Sequence, residues 1–367
     1  MSKALGLVSR CPCTHPEKII NTSQSLTTTI TQEAIALAKK NIADILLLAV
    51  EHKYPQSALV VADSQCDLAV ALTKAYRKCL PSAQYINFDT SSQEAIFAAI
   101  NLLSPGDLVV LIQSTSFRLE AYRIRIELFN RSLKVIEHPH LSRMQGTETL
   151  RYIEALAYDA AYYRDVGHAL KARIDCATSG MIDSGGDRLS FAAPFEPAKL
   201  NIGDYRAMKN VGGQFPIGEV FTESQDLEAV NGRVRIFIFG DTSFAVNKPE
   251  KPITLAITKG RVTEVFDSTP EFDQVLANIR ADEGEIWVRE LGFGMNRALT
   301  QDKTVSDIGT YERMCGVHLS LGAKHGLYNK PQIRRATARH HVDVFAVTEA
   351  VYLDDHVVYQ NSAWQPF

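Results

Sequence analysis

Ser57-Ala-Leu-Val-Val-Ala62, Ala83-Gln-Tyr-Ile-Asn-Phe88 and Leu108-Val-Val-Leu-Ile112 are three short runs with the length and apolar bias of buried strands. Between the first two, Cys66 to Leu80 reads as a helix; between the second and third, Gln93 to Leu103 does so, and Pro105-Gly106 punctuates the return to strand. Working outward, Thr31 to Glu51 carries Ile35, Ala38, Ile42, Ile45, Leu46 and Val50 on one helical stripe. Downstream, Phe117 to Phe129 reads as helix, Leu133-Lys-Val-Ile136 as strand and Thr147 to Lys171 as one long helix. Parallel neighbours need crossovers, so this alternation predicts an open, mostly parallel sheet with helices on both faces. Residues 1–171 are expected to form an α/β, Rossmann-like domain.

From about residue 172 the rhythm turns to strands. Arg233-Val-Arg-Ile-Phe-Ile-Phe239 alternates polar and apolar residues, and Ile253–Ile257 and Val262–Phe266 flank a Lys259-Gly260 hairpin signal. Pro270 to Ile279 reads as one short helix, and Glu285–Glu290 and His341–Val347 as strands. Val351–Leu353 and Val357–Tyr359 form a hairpin turning at Asp354-Asp355, and Gly185-Gly186 marks another turn. Residues 172–367 are therefore expected to form an α+β, β-dominated domain packed on the first.

Composition narrows the function classes. Lys+Arg number 39 and Asp+Glu 42, a net charge of −3, so no general field draws the chain to nucleic acid or to an anionic membrane. The longest strongly apolar run, Ile42 to Val50, is far shorter than the roughly 20 residues a membrane span needs. With no apolar h-region near Met1, the expected compartment is the cytoplasm, and the six scattered cysteines are expected to be reduced. Cys11, Cys13 and His15 lack a distant partner pair and read as an ordinary tail. The first strand–helix turn, Val61-Ala-Asp-Ser-Gln-Cys66, has no glycine fingerprint and no Walker loop occurs, which leaves the first domain as a scaffold and dimer surface.

The chemistry concentrates in residues 290–343. Four of ten histidines (318, 325, 340 and 341) fall there, and neutral imidazole is the commonest metal ligand. On a strand, His341 and Asp343 share a face and point the same way, whereas His340 points oppositely. Glu290 ends an apolar run and enters Leu291-Gly-Phe-Gly-Met-Asn296, a glycine-flanked turn; Glu219 sits in the bent segment Gly212–Thr222; His318 lies between apolar neighbours. A buried carboxylate there needs a cation or hydrogen-bond donors. Each also has a plainer reading: a satisfied buried histidine, or a glutamate paired with Arg289 or Arg297.

Taken together, these segments resemble the metallo-aminopeptidases of the aminopeptidase T / aminopeptidase S family. Pro216-Ile-Gly-Glu219-Val-Phe-Thr222 resembles the segment holding that family's first ligand glutamate, and Glu290-Leu-Gly-Phe-Gly-Met-Asn296 the segment holding its second. Cys315-Gly-Val-His318-Leu-Ser-Leu-Gly322 is similar to the family's histidine segment, one residue tighter before the histidine, and His341-Val-Asp343 to its closing pair. The likeness covers most of residues 172–352 by motif. One departure stands out: where the family has a catalytic tyrosine seven residues after the third-motif histidine, this chain has His325.

The resemblance implies a homodimer that hydrolyses peptides from the N-terminus. Glu219, Glu290, His318, His341 and Asp343 would hold two divalent ions such as Zn²⁺, Co²⁺ or Mn²⁺. Glu290 would bridge, Glu219 would be a ligand or general base, and His325 would stabilise the oxyanion or protonate the leaving amine. A more distant likeness is to 2,5-dihydroxypyridine dioxygenases, which share the closing His-x-Asp and a Tyr-Leu-Asp-Asp run like Tyr352–Asp355. That alternative implies one iron held by His318, His341 and Asp343; a third reading is a metal-stabilised relative without catalysis.

Overall fold

Thr31 accepts a hydrogen bond from the Ala34 N–H and starts α1 (Gln32–Asp44), whose buried Ile35, Ala38 and Ile42 confirm the predicted stripe. The computed structural model describes residues 30–117, 124–241 and 245–367. Cys11, Cys13 and His15, and the first turns of the helix expected from Phe117, lie outside the described residues. After α1 come β1 (Ala58–Ala62), α2 (Asp67–Cys79), β2 (Gln84–Asn87), α3 (Gln93–Asn101), β3 (Leu108–Ile112), α4 (Ile124–Asn130) and β4 (Lys134–His138). The strands run parallel in the order β2-β1-β3-β4, and Gly212–Gln214 adds a fifth beyond β4. Val60, Val110 and Ile112 face α1 and α2, while Leu59, Val61, Val109 and Leu111 face α3 and α4, so helices cover both faces as expected.

The single helix expected over Thr147–Lys171 is two, α5 (Thr147–Ala155) and α6 (Ala160–Cys176). Asp159 causes the break: its carboxylate accepts from the Tyr162 N–H at 3.1 Å and caps α6. Tyr158, buried beside it, donates to the Gly203 carbonyl at 2.9 Å. Buried His138, at the end of β4, joins three more elements. The Tyr76 hydroxyl of α2 meets its Nε2 at 2.8 Å, and its Nδ1 meets Tyr152 of α5, which donates onward to the Phe215 carbonyl. Burial pushes its imidazole down to about 3.

Most of the remaining described chain forms one large antiparallel sheet. The hairpins expected at Lys259-Gly260 and Asp354-Asp355 are present. The strand expected at Glu285–Glu290 lies at Val288–Gly294 instead, so Leu291-Gly-Phe-Gly is strand rather than turn. Its glycines are paired on both sides, with Glu219–Glu223 and with Gly316–Leu321, and Val342–Ala346 follows as the next strand. Among the described residues, no helix is long and apolar enough to cross a membrane.

Candidate metal centre

Four neighbouring strands build the site. Register places Gly294 opposite Glu219 and Gly292 opposite His318, so these residues share one face of the sheet. Gly292 leaves the space that the His318 ring fills: a β-carbon there would lie 2.0 Å from Cε1 and 2.2 Å from Nε2. Asn296, also buried, holds the Ala155 carbonyl at 2.8 Å and the Ile217 carbonyl at 3.2 Å, joining this strand to α5 and to the segment before Glu219.

Glu219, Glu290 and His318 bring one ligand atom each within 4.8 Å of one another. His318 Nε2 lies 3.3 Å from Glu219 Oε1 and 3.5 Å from Glu290 Oε1. Two ligand atoms held about 2.1 Å from one ion at a tetrahedral angle are about 3.4 Å apart, so this spacing fits a divalent ion. His318 is 1% exposed, and its Nε2 makes no hydrogen bond among the described residues. A sealed nitrogen facing two carboxylates without a bond in line takes either a proton or a metal ion. Burial opposes a charged His318 ring, yet the two carboxylates outweigh it and raise the group to about 10. Burial likewise opposes an ionised Glu290, and the neighbouring imidazoles of His318 and His325 hold its carboxyl below the ordinary range.

His341 and Asp343 stand beside this cluster. The strand begins at Val342, yet His341 Nε2 still reaches to 3.1 Å from Asp343 Oδ1. His341 Nδ1 lies 3.1 Å from the Lys324 carbonyl, to which it donates, so in the neutral ring Nε2 carries the lone pair. Asp343 Oδ1 is a second sealed atom without a hydrogen bond. The two lone pairs tolerate this approach only with a proton or a metal ion between them. His340 points away and pairs with Asp282 at 2.6 Å.

His325 meets Glu290 Oε2 through Nε2 at 2.9 Å, and its Nδ1 accepts from the Leu327 N–H at 3.2 Å. Both ring nitrogens are therefore engaged, with the proton on Nε2. Arg289 holds the loop around this residue, donating to the carbonyls of Ala323 and Tyr328. It also pairs bidentately with Glu223, and both side chains are sealed from solvent.

Arg289 and Arg297 do not pair with the site glutamates; Arg297 bonds Asp159 instead. The partner of Glu219 is Arg313, buried, whose Nη1 lies 2.9 Å from Glu219 Oε2 and 2.6 Å from Glu312 Oε2. Sequence reasoning missed this arginine and Glu312. Their one visible signal is a charged pair inside the apolar stretch Ile308–Val317.

The architecture that carries these groups has a counterpart of known structure. It is shared, at 15% identity and a TM-score of 0.53, over 90% of this chain and 99% of the other. That other structure is wild-type AmpT from Thermus thermophilus. No protein-family model and no curated protein matches the chain.

Proposed function

We propose that the chain is a metal-dependent aminopeptidase, with Glu219, Glu290, His318, His341 and Asp343 holding divalent ions (Zn²⁺, Co²⁺ or Mn²⁺) and peptides as substrates. The observation that carries this reading is the convergence of Glu219, Glu290 and His318 around a sealed, unbonded imidazole nitrogen. The fold shared with AmpT from Thermus thermophilus supports it. His318 keeps company with two glutamates, which favours a hydrolase over a two-histidine, one-carboxylate oxygenase iron.

When bound, the ions supply Lewis-acid polarisation of the scissile carbonyl and a water of lowered pKa. The protein supplies the proton traffic. Arg313 occupies Glu219 Oε2, which leaves Oε1 as the oxygen that accepts a proton from the attacking water. His325 carries an N–H at Nε2, shared here with Glu290; turned from Glu290, it donates to the developing oxyanion or the leaving amine. Arg289 holds the loop from both sides, so this donor is placed before substrate arrives. A homodimer and a cytoplasmic site of action belong to the same proposal.

The test joins elemental analysis of untagged protein to hydrolysis of Leu-p-nitroanilide with added Zn²⁺, Co²⁺ or Mn²⁺. Bound zinc, cobalt or manganese with metal-dependent hydrolysis, lost in Glu219→Gln, is the expected result. One equivalent of iron without hydrolysis overturns it and favours the oxygenase.

A further inference from the structure

Away from the metal centre, the carboxyl ends of β3 and β4 carry side chains that the proposed reaction does not use. Open α/β sheets bind ligands at this end. Ser116, four residues beyond β3, is exposed, and its Oγ lies 2.6 Å from His140 Nε2. His140, two residues beyond β4, turns its Nδ1 to Asp307 Oδ1 at 3.5 Å. Asp307 is fully buried and comes from the other sheet's connections. Its second oxygen accepts from the Thr310 N–H and hydroxyl, both at 2.9 Å, so the carboxylate is fixed in place.

We propose that Ser116, His140 and Asp307 form a nucleophilic serine site that transfers acyl groups from small activated esters. The assignment is self-consistent: a proton on Nδ1 facing Asp307 leaves Nε2 as the base toward the serine hydroxyl. The chain order, serine then histidine then aspartate, is immaterial, because such sites are recognised by geometry and role. The 3.5 Å spacing is the looser separation expected before substrate is bound.

The backbone around the pair is pre-organised. The His140 N–H donates to the Thr115 carbonyl at 2.8 Å, Leu141 N–H to Gln113 at 3.0 Å and Ser142 N–H to Ser114 at 3.0 Å. These bonds lock the loop bearing the histidine onto the loop bearing the serine. His140 itself has φ +57°, a conformation uncommon for a residue with a β-carbon and one that concentrates at functional sites. Among the described residues, the Ser116 N–H has no acceptor and is free to meet an oxyanion. Arg143 shares Asp307 Oδ1 at 2.9 Å. It weakens the field felt by the imidazole, which restricts the site to esters with good leaving groups.

The step balances. Ser116 Oγ attacks the acyl carbon while its proton passes to His140 Nε2; the bond to the leaving oxygen breaks, and the departing alcohol takes that proton. Water then attacks the acyl carbon and gives a proton to His140 Nε2; the bond to Ser116 Oγ breaks, the acid leaves, and His140 returns that proton to Ser116 Oγ.

The experiment treats full-length protein, with chelator present to silence any metal chemistry, with a fluorophosphonate probe and separately with p-nitrophenyl acetate. The expected result is one phosphonyl adduct on Ser116 by peptide mass spectrometry, absent in Ser116→Ala and unchanged in Glu219→Gln. His140→Asn, which keeps a residue suited to positive φ, slows adduct formation by about 100-fold, with a wild-type melting curve as the folding check. No adduct on Ser116, or a slowing of less than about tenfold in His140→Asn, overturns the proposal. Neither outcome touches the metal-centre reading.

Discussion

Replacing Gly292 by alanine tests the geometry of the metal centre at its tightest point. The added β-carbon would meet His318 Cε1 at 2.0 Å, Nε2 at 2.2 Å and Nδ1 at 2.7 Å, all far inside contact distance. The backbone cannot yield easily, because this strand is hydrogen-bonded on both sides. The ring must therefore leave its place. Overpacking of this kind costs about 1–3 kcal/mol, against the gain of about 0.5–1 kcal/mol that alanine brings over glycine in a strand without a clash. Urea unfolding followed by fluorescence reads the cost, and calorimetric titration with Zn²⁺ reads the ligand, with affinity expected to fall at least tenfold. The cycle isolates the cause: on a His318→Ala background the same Gly292→Ala change becomes neutral or slightly stabilising. An equal cost on both backgrounds, or unchanged Zn²⁺ affinity in the single variant, refutes the reasoning.

Three further outcomes follow from other parts of the molecule. His138 is held neutral, about 3 folded against an ordinary 6.5, so below pH 6.5 the unfolded chain takes up a proton that the native state refuses. Its stability contribution is whole above pH 6.5 and is lost toward pH 3 by at most about 1.4 kcal/mol per unit; in urea titrations from pH 7 to 4.5 the gap between wild type and His138→Gln narrows, and a constant gap contradicts this. Arg289→Met leaves buried Glu223 with Lys330 at 3.8 Å as its remaining cation, a broken buried pair that costs about 3–5 kcal/mol in urea unfolding, whereas Arg289→Met with Glu223→Leu recovers most of it. Zn²⁺ at 100 times its dissociation constant raises unfolding free energy by about 2.7 kcal/mol, seen as a thermal shift that a chelator reverses; Glu290→Gln flattens the shift, and a wild type without any shift argues against the centre.

What could be read from the residues was local. The strand–helix alternation of residues 57–112 and the two hairpins rest on periodicity and turn chemistry, which act over a few positions, and they reappear with boundaries moved by a residue or two. The closeness of His341 and Asp343, 3.1 Å apart, was legible for the same reason, since residues two apart share a face. The break at Asp159 was visible in principle as a cap, but the apolar spacing on either side of it suited a continuous helix.

What only the folded chain decided was pairing at long range. Glu219 could have met Arg289, Arg297 or a metal; strand order brings it Arg313 and sends the other two arginines to Glu223 and Asp159. Gly292 reads as turn chemistry in a one-dimensional string, and its actual cause, the His318 ring, sits on the neighbouring strand. Ser116, His140 and Asp307 are unremarkable until two loops and a distant cap converge. Charge pairing and ring packing depend on separations of a few ångströms in space, and neither periodicity nor composition encodes those distances.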